Sequence, residues 1–132
     1  MTNEQLQERC LEFAGFTREP DSGKHQFWYR PGDELIVLYP EPDFLASVDA
    51  HVKWTLPKLR EWRGKNGLIA DYYSSNWLAD SGDKCFSLFL VPDDAVRTYT
   101  PDESVHIECE GESEAMNICK AIWELTEKDN EL

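Results

Sequence analysis

The chain has 132 residues, with five Trp, five Tyr, six Phe, four Cys and a formal net charge of −13. That length suits one domain, 1–132, able to bury about two-thirds of the surface of its unfolded chain. The charge repels nucleic acid and anionic membranes. No apolar run approaches the roughly 18 residues of a membrane helix, and the opening Met1-Thr2-Asn3-Glu4 lacks the character of a secretion signal, so the expected location is the cytoplasm.

The first helix is predicted over 3–14, with Asn3 as its cap, Leu6, Cys10 and Phe13 as its apolar face, Leu11 beside them and Gly15 as its stop. Residues 17–24 read as a polar turn. Segments 26–30 and 35–39 read as strands joined across Pro31-Gly32-Asp33, a hairpin-type connection. Leu35 to Tyr39 is apolar throughout, which predicts burial on both faces. Pro40 to Asp43 then breaks the sheet.

The longest helical pattern follows, over 47–63. Ser47 is a good N-cap, and Asp49 puts a negative charge where the helix dipole favours it. Val48, Val52, Leu56, Leu59 and Trp62 recur at helical spacing and predict the buried stripe. Arg60, Arg63 and Lys65 suit the last turn, with Gly64 or Gly67 to end it. Pro57 lacks an amide hydrogen and disfavours helical geometry at Leu56. It predicts a kink or a division into two pieces, the kink being preferred because the stripe keeps its phase.

Beyond Gly67 the pattern is β. Residues 68–73 form one strand and 76–79 begin a second. After the turn signal Asp80-Ser81-Gly82-Asp83 comes the strongest strand, 84–91. There Cys85, Ser87 and Phe89 alternate with Phe86, Leu88 and Leu90, and the apolar character of both faces predicts a central strand. Residues 93–104 read as a loop with an extended piece at 96–99. Val105, Ile107 and Cys109 alternate with His106 and Glu108, which predicts an edge strand. A last helix is predicted over 113–127, with Ala115, Ile118, Cys119, Ile122 and Leu125 inward, and an acidic tail frays over 127–132. Three helices and about five strands linked by short turns suit an α+β fold, a three-layer α-β-α sandwich around a mostly antiparallel sheet.

Ser47-x-Asp49-x-x-x-x-Trp54 resembles the central motif of the phage ABA sandwich family, small proteins of phages and prophages. Asn117-Ile118-Cys119-Lys120-Ala121 resembles that family's C-terminal helix, and the stretch from Leu6 to Phe16 its opening helix. Pro57, His51 and Lys53 depart from the family pattern. The resemblance implies a three-layer α-β-α fold and a phage context. It implies no reaction and no functional residues.

The cysteines, Cys10, Cys85, Cys109 and Cys119, show no Cys-x-x-Cys pair and no metal-ligand spacing, so they read as buried, reduced thiols. His25, His51 and His106 are isolated and read as ordinary surface or half-buried residues, not ligands or bases. There is no phosphate-binding loop, dinucleotide fingerprint or nucleophile elbow. The expectation is a non-enzyme without cofactor or metal.

Two charged features remain. Residues 1–65 carry 9 basic and 11 acidic side chains, and residues 66–132 carry 4 and 15. The acidic half concentrates Asp93, Asp94, Asp102, Glu103, Glu108, Glu110, Glu112 and Glu114. If extended, Glu108, Glu110, Glu112 and Glu114 would share one face at steps of about 6.6 Å, a spacing comparable to that of phosphates along a nucleic-acid strand. The opposing view is a solubilising edge that blocks strand pairing. Lys53, Trp54, Lys58, Arg60, Arg63 and Lys65 form the basic cluster. It is either a solvated helix face or a site for a phosphate-bearing ligand.

The leading expectation is therefore a phage-type inhibitor that meets a basic, nucleic-acid-binding host protein, such as a CRISPR effector, through its acidic surface. In this it would act as DNA-mimic anti-CRISPR proteins do. Direct binding to nucleic acid or membrane is not expected. The alternatives are a small-ligand binder that sequesters a nucleotide immune signal through the basic cluster, and an accessory phage protein without inhibitory role.

Overall fold

The computed structural model describes residues 2–18, 28–30, 33–38, 42–64, 68–77, 83–92, 105–111 and 113–130. Its first helix, α1 (Asn3–Phe13), is capped by Thr2, one residue before the expected Asn3. The reason is a capping box: Thr2 Oγ1 accepts from the Gln5 amide at 3.1 Å while Gln5 Oε1 accepts from the Thr2 amide at 2.8 Å. The helix ends at Gly15, whose φ of 95° only glycine adopts readily. There the Gly15 amide donates to Glu12 O and the Phe16 amide to Leu11 O, both at 3.0 Å. These are the two reverse bonds of a Schellman motif, and they turn Phe16 into the core beside Leu11.

Strands β1 (Thr17–Arg18), β2 (Trp28–Arg30) and β3 (Asp33–Leu38) form an antiparallel sheet in that order. The expected hairpin is present, and the start of the expected 17–24 turn is instead its third strand. Trp28 anchors this sheet in the core. β3 covers 35–38 of the expected apolar strand, and the burial expected there lies outside what the structure describes. Next, Gln7 of α1 clamps the chain before the central helix: its Nε2 donates to Pro42 O at 2.6 Å and its Oε1 accepts from the Phe44 amide at 3.0 Å. Phe44 is fully buried as a result.

The central helix begins as α2 (Val48–Ala50), passes through a π-helical turn (His51–Thr55) and continues as α3 (Leu56–Glu61). Ser47 caps it as expected, its Oγ accepting from the Ala50 amide at 3.2 Å. Pro57 falls in the first turn of the second helical piece, as the two-piece expectation has it. In an α register Pro57 would face Lys53 O with no amide hydrogen and with its ring in the way. The wider turn, in which the Leu56 amide donates to His51 O, avoids that clash and leaves Pro57 in the first turn of α3. The inward face is consequently His51, Thr55 and Leu59. The expected stripe is corrected: Leu59 is buried, Val48, Leu56 and Trp62 are half-buried, and Val52 is 57% exposed.

The Gly64 amide donates to Leu68 O at 2.8 Å and leads the chain into β4 (Leu68–Trp77), one strand where two were expected. With β5 (Lys84–Pro92) and β6 (Val105–Gly111) it forms a second antiparallel sheet, order β4-β5-β6. β5 is central, as its two apolar faces predicted, and among the described residues β6 pairs with β5 alone. The extended piece expected at 96–99 lies outside the described residues.

The last helix, α4 (Glu114–Asn130), packs on β5 and β6 and against α1. Ser113 starts it, its Oγ accepting from the Met116 amide at 3.2 Å. Ala115, Ile118, Cys119, Ile122 and Leu125 are buried as predicted, against Phe86, Leu88, Leu90 and Ile107 of the sheet. The helix continues through 127–130, past its expected end at 127. Arg9 of α1 holds that end, 2.8 Å from Glu127 and stacked 4.1 Å from the Trp123 ring centre. The described chain is thus mixed α/β, with three helical segments and antiparallel sheets.

Candidate functional site

The outer face of β5 and β6 gathers the chain's polar chemistry. Alternation along β6 turns Ile107 and Cys109 into the core and leaves His106, Glu108 and Glu110 exposed. The register sets Cys85 opposite Glu110, Ser87 opposite Glu108 and Phe89 opposite His106. His106 lies flat on Phe89, ring centres 4.3 Å apart and planes within 5°. Cys85, itself buried, donates its S–H to Glu108 Oε1 at 3.1 Å and lies 3.6 Å from Ser87 Oγ. Burial pushes the Cys85 thiol up from its ordinary range, and the bond to Glu108 adds to the shift.

Of the acidic residues singled out in the sequence, Glu108 and Glu110 share this face as expected. Glu114 does not join them. It sits in the first turn of α4, half-buried, with Lys84 Nζ 3.3 Å from its carboxylate. Asp93, Asp94, Asp102, Glu103 and Glu112 lie outside the described residues.

The basic candidates lie along the central helix, with Lys53, Lys58, Arg60 and Arg63 exposed and Lys65 outside the described residues. Trp54 is half-buried, edge-on to Phe16 at 4.9 Å, with Lys53 Nζ 5.0 Å from its ring centre. Arg63 donates to Trp62 O at 2.9 Å.

A third constellation was missed in the sequence. His51, expected at or near the surface, is fully buried. Its Nε2 faces Phe44 O at 2.8 Å and Ala115 O at 3.1 Å, so that nitrogen carries a proton, an assignment made from the network. Its Nδ1 meets Thr55 Oγ1 at 2.7 Å. Cys119 lies 3.5 Å from His51 Nε2 and gives its S–H to Phe44 O at 3.1 Å. A hydrogen bond between Cys10 and Cys119 pushes the Cys10 thiol up and draws the Cys119 thiol down. With both sulfurs and the imidazole out of reach of solvent, the cluster ties α1, the 42–47 turn, the central helix and α4 together. The available signal was Thr55, one helical turn beyond His51, which only a correct helix phase makes visible.

All four cysteines are free and buried, as their apolar surroundings predicted. The residues that carry the family resemblance have structural places: Ser47 is a cap, Trp54 packs on Phe16, and Asn117, Ile118, Cys119 and Ala121 are buried in α4. No helix among the described residues is long and apolar enough to cross a membrane. No protein-family model, curated protein or solved structure matches the chain.

Proposed function

We propose that this chain is a non-catalytic, phage-type protein that inhibits a basic, nucleic-acid-binding host factor by presenting an acidic edge strand to it. The observation that carries this reading is the outward pairing of Glu108 and Glu110 on β6. Both are exposed, and neither is paired with a lysine or arginine among the described residues. Two uncompensated carboxylates two residues apart repeat at about 6.6 Å, and they belong to a half-chain of 4 basic and 15 acidic side chains. Such a surface attracts cationic grooves built for phosphates.

The reading includes a host-cytoplasm setting and an α-β-α layering of the ABA sandwich kind, with the helices flanking the sheets. The small-ligand alternative takes second place, because the ring of Trp54 is already engaged by Phe16 and Lys53. The accessory-protein alternative predicts no charge-dependent partner at all.

Immobilised protein incubated with bacterial host lysate tests the proposal. It predicts capture of basic proteins that are released by added duplex DNA and by salt, since exposed charge pairs are screened beyond about 8 Å at 0.15 M. Partners indifferent to both would contradict it.

A further inference from the structure

We propose that Cys85, Glu108 and Glu110 form a binding site for a zinc-class divalent cation, held by one thiolate and two carboxylates across β5 and β6. One donor atom from each residue lies within 4.8 Å of the other two. The sheet register brings this about: Cys85 pairs with Glu110 directly and meets Glu108 on the diagonal. Two exposed carboxylates at alternate strand positions have their Cβ atoms about 6.6 Å apart, and without a cation they relieve repulsion by turning away from each other. Here one oxygen of each lies within 4.8 Å of the other and of the thiol sulfur, with no basic side chain among the described residues paired to either.

The donor set selects the ion. Magnesium and calcium take oxygen ligands, whereas a sulfur donor favours zinc-class metals. Zinc binds thiolate at about 2.3 Å and carboxylate at about 2.0–2.2 Å, so movements of about 1 Å by the two glutamate side chains close the set. Both are exposed and able to move, while Cys85 is fixed in the sheet. Three protein ligands leave a fourth, outward position for water. On binding, the metal replaces the thiol proton, which passes to the buffer, and neutralises Glu108 and Glu110, so the acidic surface proposed above belongs to the metal-free chain. Sequence spacing hid the site, because Cys85 lies 23 residues before Glu108 and meets the two glutamates only through strand pairing.

Cobalt(II) titrated into the reduced, metal-stripped full chain is a direct probe, because a cobalt–thiolate bond absorbs in the near ultraviolet. The expected result is a band that saturates at one equivalent, is displaced by zinc and is absent in Cys85→Ser. Glu108→Gln and Glu110→Gln should each weaken cobalt binding at least about tenfold. No band in the parent chain, or a band that survives Cys85→Ser, overturns the proposal. Because Cys85 is buried, Glu110→Gln decides independently of folding: its position is exposed, and unchanged cobalt affinity in that variant refutes the site.

Discussion

Replacing His51 with Leu leaves Phe44 O only the weak S–H donor of Cys119 and removes the ring nitrogen that Thr55 meets. Each stranded buried polar group costs about 1–3 kcal/mol, so His51→Leu should lower unfolding stability by about 3 kcal/mol in urea titration at neutral pH. Gly111 is constrained from the other side of the sheet: a Cβ there would lie 2.9 Å from Asn117 Oδ1. Asn117 cannot give way easily, because its Nδ2 donates to Lys84 O at 2.9 Å and Gly111 O at 3.3 Å. Gly111→Ala should therefore cost about 1–3 kcal/mol by the same measurement. Cys109 supplies a pH dependence. Burial first, and Glu124 second, push its thiol up to about 12 from 9.0. The folded chain then keeps a proton that the unfolded chain gives up above its own pKa. The contribution is complete below that pKa and is lost as pH rises from about 9 towards 12. Urea midpoints should fall over that window, and Cys109→Ala should fall less steeply than the parent.

At the scale of elements, period decided what the sequence could reveal. The alternation of Val105, Ile107 and Cys109 with His106 and Glu108 identified β6 and its two faces, because a strand with one buried side has no other register open to it. The apolar positions of α4 were equally legible, since nothing interrupts its 3.6-residue pattern. The central helix was not, although its cap was. Pro57 forces a π turn, and the extra residue in that turn moves the inward face from Val52 to His51 and Thr55. A pattern drawn at constant period cannot anticipate that shift. Substitution separates the two phases. Val52→Lys should change stability by no more than about 0.5 kcal/mol, whereas Leu59→Ala should cost about 2–5 kcal/mol. A costly Val52→Lys would restore the unbroken stripe.

At the scale of the molecule, charge and registry act together. A net charge of −13 was plain in the composition, but which carboxylates stand free depends on tertiary partners. Glu114 is matched with Lys84 at 3.3 Å, whereas Glu108 and Glu110 have no lysine or arginine partner among the described residues. The measurement that bears most directly on the proposed function is a side-by-side capture from host lysate by the parent chain and by variants of reversed charge. The Glu108→Lys/Glu110→Lys variant should bind the DNA-displaceable basic proteins at least about tenfold more weakly than the parent, charge-assisted contacts being worth roughly 1.5–3 kcal/mol each when buried. Arg60→Glu/Arg63→Glu should bind them as well as the parent or better. If the Arg60/Arg63 variant loses those proteins and the Glu108/Glu110 variant keeps them, the acidic strand is not the binding surface.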